Sequence, residues 1–462
     1  MKLLNSLSRQ VEELTPIDDE RYRFYCCGPT VYAPAHIGNF RTFVIQDVFR
    51  RTLEVAGLKP YHVRNITDVD DKTIRDSQAE GSSLADFTKK WTARFHADCA
   101  ALNMLPPHDE PSAVEHIPEQ IAMIETLIEK GHAYADETGS VYFKVDSFDD
   151  YGELSRLKER EIRLGAASTD DETDADTVAD FVLWKAWKDG DGPNKWASPW
   201  GDGRPGWHLE CSAMIHKYLG TDFDLHSGGI DLQFPHHENE IAQSVCCHGG
   251  GFAKHWFHTT HLMVDGGKMS KSLNNFFTVA DIEAAGFHAL ELRYALIAAY
   301  YRQPLNFVSD NNFASLSSAR GALGKIAKLK ARLNIGPDDW TRLKDKGWQM
   351  PTGVNSEQLA GAWQSLSNDL NVPRALGFLF SANPTTADRD LFMSILYALG
   401  LEADLPEAEA VEVPEEITAL AEQRLAARAG KEWARSDELR DQIAAAGWQI
   451  KDSADGYELT PA

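Results

Sequence analysis

The 462-residue chain has no apolar run near the roughly 18 residues that a membrane span requires. Its first residues, Met-Lys-Leu-Leu-Asn-Ser, turn polar too early for a secretory leader. Cysteine is scarce: there are six, and Cys26-Cys27 and Cys246-Cys247 are adjacent, which does not make a disulfide framework. No G-x-x-x-x-G-K-[ST] and no H-E-x-x-H occurs, which removes a Walker loop and a zincin protease; G-x-G-x-x-G occurs only at Gly201-Asp-Gly-Arg-Pro-Gly206, far from the first strand and helix, and alone does not make a dinucleotide fingerprint. Positive charge is also short, with 46 Lys plus Arg against 70 Asp plus Glu, a formal charge of −24. Alone, that balance argues against nucleic acid as a partner. What remains is a cytoplasmic, acidic, multidomain chain. Its 43% hydrophobic and 10% aromatic content is enough to bury real cores and excludes general disorder.

A β-type run, Tyr22-Arg-Phe-Tyr-Cys-Cys27, stops at Gly28-Pro29. A helical pattern then starts near Gly38, with Phe40, Val44, Val48 and Val55 at helical spacing and Ile45 and Phe49 beside them. Gly57 is its expected stop, and residues 59–67 read as a second strand. Strand, helix and strand in this order predict a βαβ unit and a parallel sheet. Strand-like runs return at residues 223–226 and 230–234, so the expected fold is α/β, a doubly wound parallel sheet split by an insertion. Within that insertion, residues 141–145 read as an edge strand. An acidic run at 170–176 reads as a solvated loop, followed by Trp184, Trp187, Trp196 and Trp200. From residue 312 the pattern is helical, with Arg320, Lys325, Lys328, Lys330 and Arg332 and no acid between them. Residues 402–416 are acidic and proline-interrupted, as a linker is, and residues 417–462 form a small final segment.

Three constellations carry chemistry. His36-Ile37-Gly38-Asn39 lies where a strand's loop enters a helix, and unpaired N–H groups at a helix N-terminus favour phosphate. Gly38 permits close approach to the backbone, and His36 can donate to phosphate oxygens. Some 230 residues later, Gly266-Gly267-Lys268-Met269-Ser270-Lys271-Ser272 places two lysines three apart on a glycine-hinged loop, suited to a polyphosphate. Between them, nine of the sixteen histidines fall within residues 208–261, with Cys211, Cys246 and Cys247. His236 and Glu240 share a helix face, and Cys27 and Cys211 could complete a tetrahedral Zn²⁺ site. His237 with Cys246 or Cys247 is the alternative that spacing leaves open.

The paired signatures HIGN and KMSKS resemble the HIGH and KMSKS motifs of class I aminoacyl-tRNA synthetases. Five blocks narrow the likeness: Cys27-Gly-Pro-Thr-Val-Tyr32, Arg64-Asn-Ile-Thr-Asp-Val-Asp-Asp-Lys72, Gly206-Trp-His-Leu-Glu-Cys-Ser-Ala-Met214, Phe234-Pro-His-His-Glu-Asn-Glu-Ile-Ala-Gln243 and the lysine loop. In this order they resemble the cysteinyl-tRNA synthetases. The resemblance implies a Rossmann-like catalytic domain in two halves (1–115 and 200–262) around a connective insertion (116–199). A stem-contact region (263–311), a helical bundle (312–401), the acidic linker (402–416) and an anticodon-reading domain (417–462) follow.

It further implies one Zn²⁺ held by Cys27, Cys211, His236 and Glu240. ATP with Mg²⁺ would be met by His36, Gly38, Asn39, Lys268 and Lys271, and cysteine by Gly28, Thr67, Trp207 and Asp231. The implied catalytic residues are His36, Asn39, Lys268 and Lys271; the implied partner is tRNA(Cys), no membrane is involved, and the enzyme is a monomer. Two residues depart from the family pattern, Asn39 for His and Asn274 for Gly. Rival readings are a ligase that passes cysteine to an amino-sugar, and a zinc-stabilised nucleic-acid-binding protein without catalysis. The first leaves the C-terminal third without a purpose, and the second leaves the paired signatures unexplained.

Overall fold

The structure of the protein is a computed structural model. It describes all residues except 19, 160–162, 165–176, 270–274, 349–355, 406–412, 454–455 and 462. The acidic run at 170–176, Lys271 and Asn274 therefore lie outside the described residues. The chain divides into two compact units, Met1–Asp404 and Leu405–Ala462.

At the centre of the first unit, β1 (Tyr22–Cys26), β2 (Pro60–Arg64), β3 (Asp222–Gly229) and β4 (Phe252–Thr259) form a parallel sheet in the order β4-β3-β1-β2. Tyr22, Phe24, Tyr25 and Cys26 are all buried, as strands covered on both faces require. The helix α1 (Ile37–Val55) connects β1 to β2, and Phe40, Val44, Ile45, Val48, Phe49 and Val55 are buried in it. It ends at Ala56, and Gly57 takes a left-handed φ of 82°. The second half of the sheet carries α2 (Trp207–Leu219) and α3 (Glu238–His248). Their apolar faces join Tyr25, Val63, Phe223 and Trp256 in one buried cluster.

Two strand expectations fail. Residues 230–234 are not a strand: β3 runs straight through to Gly229, a helical turn at Ile230–Leu232 follows, and Phe234 is a single extended residue (φ −139°, ψ 133°) before the chain enters α3. Apolar alternation over five residues does not separate a strand from a tight helical turn packed against a sheet edge. Likewise, Val141–Phe143 is no edge strand. It lies inside an antiparallel sheet, between Phe181–Ala186 and Ala133–Ala135, and is buried.

The basic helix expected from residue 312 is Asp310–Arg332. Three of its five bases are used internally: Arg332 donates to the Asn383 side-chain oxygen at 2.8 Å and to the Pro384 carbonyl at 3.2 Å. Arg320 is paired with Glu291, and the Lys330 ammonium donates to the carbonyls of Glu402 and Ala403 and to Asp404. In the second unit, helices Glu415–Ala429 and Trp433–Ala445 pack on an antiparallel hairpin, Trp448–Ser453 with Gly456–Pro461. Ile417, Ala421, Ile443 and Trp448 form its core. Arg424 and Arg428 both pair with Asp452, and Arg435 pairs with Glu438, so the expected positive face there is reduced.

Candidate active site

The predicted residues gather at the C-terminal edge of the parallel sheet, where ligands of open α/β folds bind. Cys27 and Gly28 directly follow β1. His36 caps α1: its Nδ1 accepts the Asn39 backbone N–H at 3.1 Å, and the Asn39 side-chain oxygen accepts the His36 N–H at 3.1 Å. Burial holds the imidazole below its ordinary pKa, although Asp231 pulls the other way. A neutral ring that accepts at Nδ1 carries its proton on Nε2. That N–H can donate to an anion.

The lysine loop reaches the same place. Leu262–Val264 pairs antiparallel with Gly267–Lys268 around Asp265 and Gly266, both at positive φ, the geometry of a two-residue hairpin. Lys268 is exposed, and its carbonyl accepts from the Asn275 side chain at 3.1 Å. Beyond the loop, the Ile37 N–H donates to the Phe277 carbonyl, and the His36 and Phe276 rings meet edge to face. A Cβ at Gly38 would lie 3.0 Å from the His36 ring and 3.2 Å from the Met269 methyl. Glycine there lets the two signature segments close on each other.

At the same edge of the sheet is a buried group of metal-ligating side chains, with Cys27 directly after β1 and His236 and Glu240 in the segment that follows β3. One ligand atom from each of Cys27, Cys211, His236 and Glu240 lies within 4.8 Å of the others. Glu240 Oε1 is 3.1 Å from His236 Nε2 and 3.8 Å from the Cys27 sulfur. The opposite nitrogen of His236 meets His208 Nδ1 at 3.0 Å, and the second Glu240 oxygen meets His226 Nε2 at 2.8 Å. Such outer contacts orient metal ligands. Without an ion, burial pushes the Cys27 thiol well up and the Cys211 thiol to about 12, and it drives His236 well below its ordinary value. A cation supplies the field that reverses this for thiols. The donor set therefore fits a divalent metal.

A second grouping, Cys27, His226, His237 and Glu240, satisfies the same distance limit. It offers one sulfur where the first offers two, and two sulfurs suit a soft or borderline ion better. The alternative of His237 with Cys246 or Cys247 fails. Both cysteines face the insertion's core with Ile117, Met123 and Val141.

Around this group, Trp207 stacks on His236 with ring centroids 4.4 Å apart. Thr67 is buried, and its hydroxyl is bonded to Glu210. Asp231 is exposed in the turn that follows β3. Glu210 was not foreseen. Its carboxyl, 2% exposed and pushed well up by burial, receives Asn65 Nδ2 at 3.3 Å, and Asn65 Oδ1 accepts the Gly28 N–H at 2.8 Å. One buried acid thus ties Thr67 to Gly28.

Comparison with known proteins agrees with this geometry. The family described as "tRNA synthetases class I (C) catalytic domain" matches residues 13–317. A cysteine–tRNA ligase of Opitutus terrae is 52% identical, over 100% of this chain and 99% of that protein. The cysteine–tRNA ligase of Chlamydia caviae is 39% identical, over 99% of this chain and 97% of its own. Among solved structures, Mycobacterium tuberculosis methionyl-tRNA synthetase in complex with methionyl-adenylate aligns with a TM-score of 0.53 at 14% identity. That alignment covers 82% of this chain and 88% of the other, and it bears on the fold alone.

Proposed function

The chain belongs to the cysteine–tRNA ligase family of class I aminoacyl-tRNA synthetases, and from that membership we propose that it activates cysteine with ATP and charges tRNA(Cys). The observation that carries the proposal is the meeting of His36, Gly38 and Met269 at the sheet edge that also carries the cluster of Cys27, Cys211, His236 and Glu240. A nucleotide-binding segment and a thiol-selecting group then share one edge of the sheet.

In the first step, a cysteine carboxylate oxygen attacks the α-phosphorus of ATP. The bond to the β-phosphate breaks, and pyrophosphate leaves with its electron pair, accompanied by Mg²⁺. Positioning and charge stabilisation dominate such transfers. The His36 Nε2–H and the first N–H groups of α1 offer donors to the phosphate oxygens. Lys268, with Lys271, offers positive charge to the departing pyrophosphate. In the second step, a ribose hydroxyl oxygen of the terminal adenosine, the 2′-OH by class resemblance, attacks the carbonyl carbon. AMP is released: its phosphate oxygen keeps the electron pair of the broken anhydride and takes up the hydroxyl proton.

Cys27, Cys211, His236 and Glu240 would hold Zn²⁺. The chemistry it supplies when bound is selection, because it favours a thiolate ligand over a neutral alcohol that an apolar pocket separates poorly from a thiol. Trp207 offers a flat wall to the cysteine, while Thr67, held by Glu210, and Gly28, held by Asn65, offer polar atoms beside it. Asp231 offers a negative charge for the ammonium group.

Lys325, Lys328 and Arg332 line a cleft of about 280 Å³ with Phe380, a cationic face suited to an RNA backbone. In the second unit Trp433, 58% exposed, presents a stacking surface for a base beside Arg428. Among the described residues no helix is long and apolar enough to cross a membrane. From the family membership, not from that absence, we propose a cytoplasmic monomer.

The test is ATP–pyrophosphate exchange with cysteine and serine supplied in parallel. Exchange stimulated by cysteine, and far less by serine, supports the reading. Equal stimulation would remove the thiol selection, and none at all would remove the activity.

A further inference from the structure

A loop from the connective insertion, residues 151–157, reaches back to the turn that carries His236 and Glu240. It is tied there at Glu238 and Asn239, which lie between those two ligands, and at Gln233 just before them. The Glu238 carboxylate, 1% exposed, accepts the Gly152 N–H at 2.9 Å, the Ser155 N–H at 2.8 Å and the Ser155 hydroxyl at 2.7 Å. The Tyr151 hydroxyl donates to Asn239 Oδ1 at 2.5 Å. Gln233 Nε2 donates to the Leu154 carbonyl at 2.9 Å, and Arg9 donates to the same oxygen at 3.3 Å.

The loop is shaped for this. Gly152 has a φ of 91°, and a Cβ on it would lie 2.7 Å from Leu157. The Leu154 side chain is fully buried in the apolar cluster that contains Cys27 and Cys211. Packing alone would hold the loop down without setting a direction. Three donors on one buried carboxylate do set one, because a buried polar group left unpaired is costly. Glu238 and Asn239 fill the turn between His236 and Glu240, so fixing them fixes where both ligand atoms point.

We propose that residues 151–157 act as a positioning strap, in which Tyr151 and Ser155, through Asn239 and Glu238, set the metal-binding geometry of His236 and Glu240. Metal retention and the preference for a thiol then depend on hydroxyls contributed by the insertion. The inference rests on the metal reading proposed above.

The experiment compares full-length wild type with Tyr151→Phe, Ser155→Ala, the double variant and Ser155→Thr. Three readouts are zinc release to a chromophoric chelator, the sulfur-to-metal absorption band of the Co²⁺-substituted protein, and KM for cysteine against KM for ATP. The double variant is expected to release zinc about tenfold faster, in the range seen when outer contacts to metal ligands are lost. Its cobalt band should shift and its KM for cysteine should rise, with KM for ATP unchanged. Ser155→Thr restores a hydroxyl and is expected to bring release back near the wild-type rate. Tyr151→Phe deletes only one oxygen and keeps the test open if the double variant folds poorly. Release rates and cobalt spectra identical to wild type would overturn the strap alone. A wild type that holds no zinc would overturn the metal reading and the strap with it.

Discussion

His36 and Asn39 hold each other in a reciprocal pair: the Asn39 backbone N–H donates to the His36 ring, and the His36 backbone N–H donates to the Asn39 side-chain oxygen. This closes the first turn of α1 and explains how asparagine serves where the family pattern has histidine. Asn39 acts here on the helix start, and His36 keeps an Nε2–H for the ligand.

Separate variants should therefore separate the two roles. Asn39→Ala removes one acceptor and is expected to lower stability by about 1 kcal/mol in denaturant titration, with a small loss of pyrophosphate exchange. His36→Ala removes a donor to the reacting phosphates and should lower exchange about 100-fold. Equal losses in the two variants would contradict this division.

The metal grouping is tested by composition. Cys211→Ala and His236→Ala are expected to lose the bound metal, whereas His237→Ala keeps it at wild-type stoichiometry. Elemental analysis of the purified variants decides this. Loss in His237→Ala with retention in Cys211→Ala would assign the ion to the grouping of Cys27, His226, His237 and Glu240.

Much of the site was legible because ligand chemistry leaves marks in residue type. The histidines of residues 208–261 with Cys211, Cys246 and Cys247 stood out as a concentration of metal donors, from which spacing left more than one set open and the family resemblance implied Cys27, Cys211, His236 and Glu240; HIGN and KMSKS stood out as paired signatures. The fold class was legible from periodicity around Phe40, Val44 and Val48. Ile230 to Phe234 misled, because a helical turn closing over a sheet edge shows the same brief apolar alternation as a strand. Glu210 and Glu238 were invisible for another reason. A buried acid is recognised by its donors, which here come from Asn65 and Thr67 in one case and from Gly152 and Ser155 in the other, all distant in sequence. The basic residues were read too generously, since charge in a sequence does not say that Lys330 is spent on Asp404.

Buried charge also sets a pH dependence. Asp47, which burial pushes up, is held below its ordinary value by Arg51 at 2.8 Å and Arg293 at 2.6 Å. A depressed carboxyl contributes stability that is complete above its unfolded value of about 3.9 and is lost as pH falls toward the folded one. Wild type should therefore weaken below about pH 4. Asp47→Asn takes the ion pair from the buried Arg293 guanidinium, while Arg51 keeps Glu402 at 2.8 Å; it should cost about 3 kcal/mol near neutral pH and should show a shallower acid slope. Denaturant titration of both proteins across that range is the check; parallel acid slopes would contradict the assignment.

The cationic face of helix Asp310–Arg332 makes an RNA prediction. Lys325→Ala and Lys328→Ala should each weaken tRNA binding, and each should reduce the slope of log affinity against log salt by about 1. Pyrophosphate exchange without tRNA should stay at wild-type rates. Filter binding at several salt concentrations reads both quantities. An unchanged slope would place the RNA elsewhere.

The most direct test of the central claim is charging of tRNA(Cys) transcript by the purified protein, with labelled cysteine or serine supplied separately. Cysteine attached to the terminal adenosine of tRNA(Cys), with serine left uncharged, is the predicted result. Cysteine-dependent adenylate formation with no transfer to tRNA, or equal charging with serine, would contradict it.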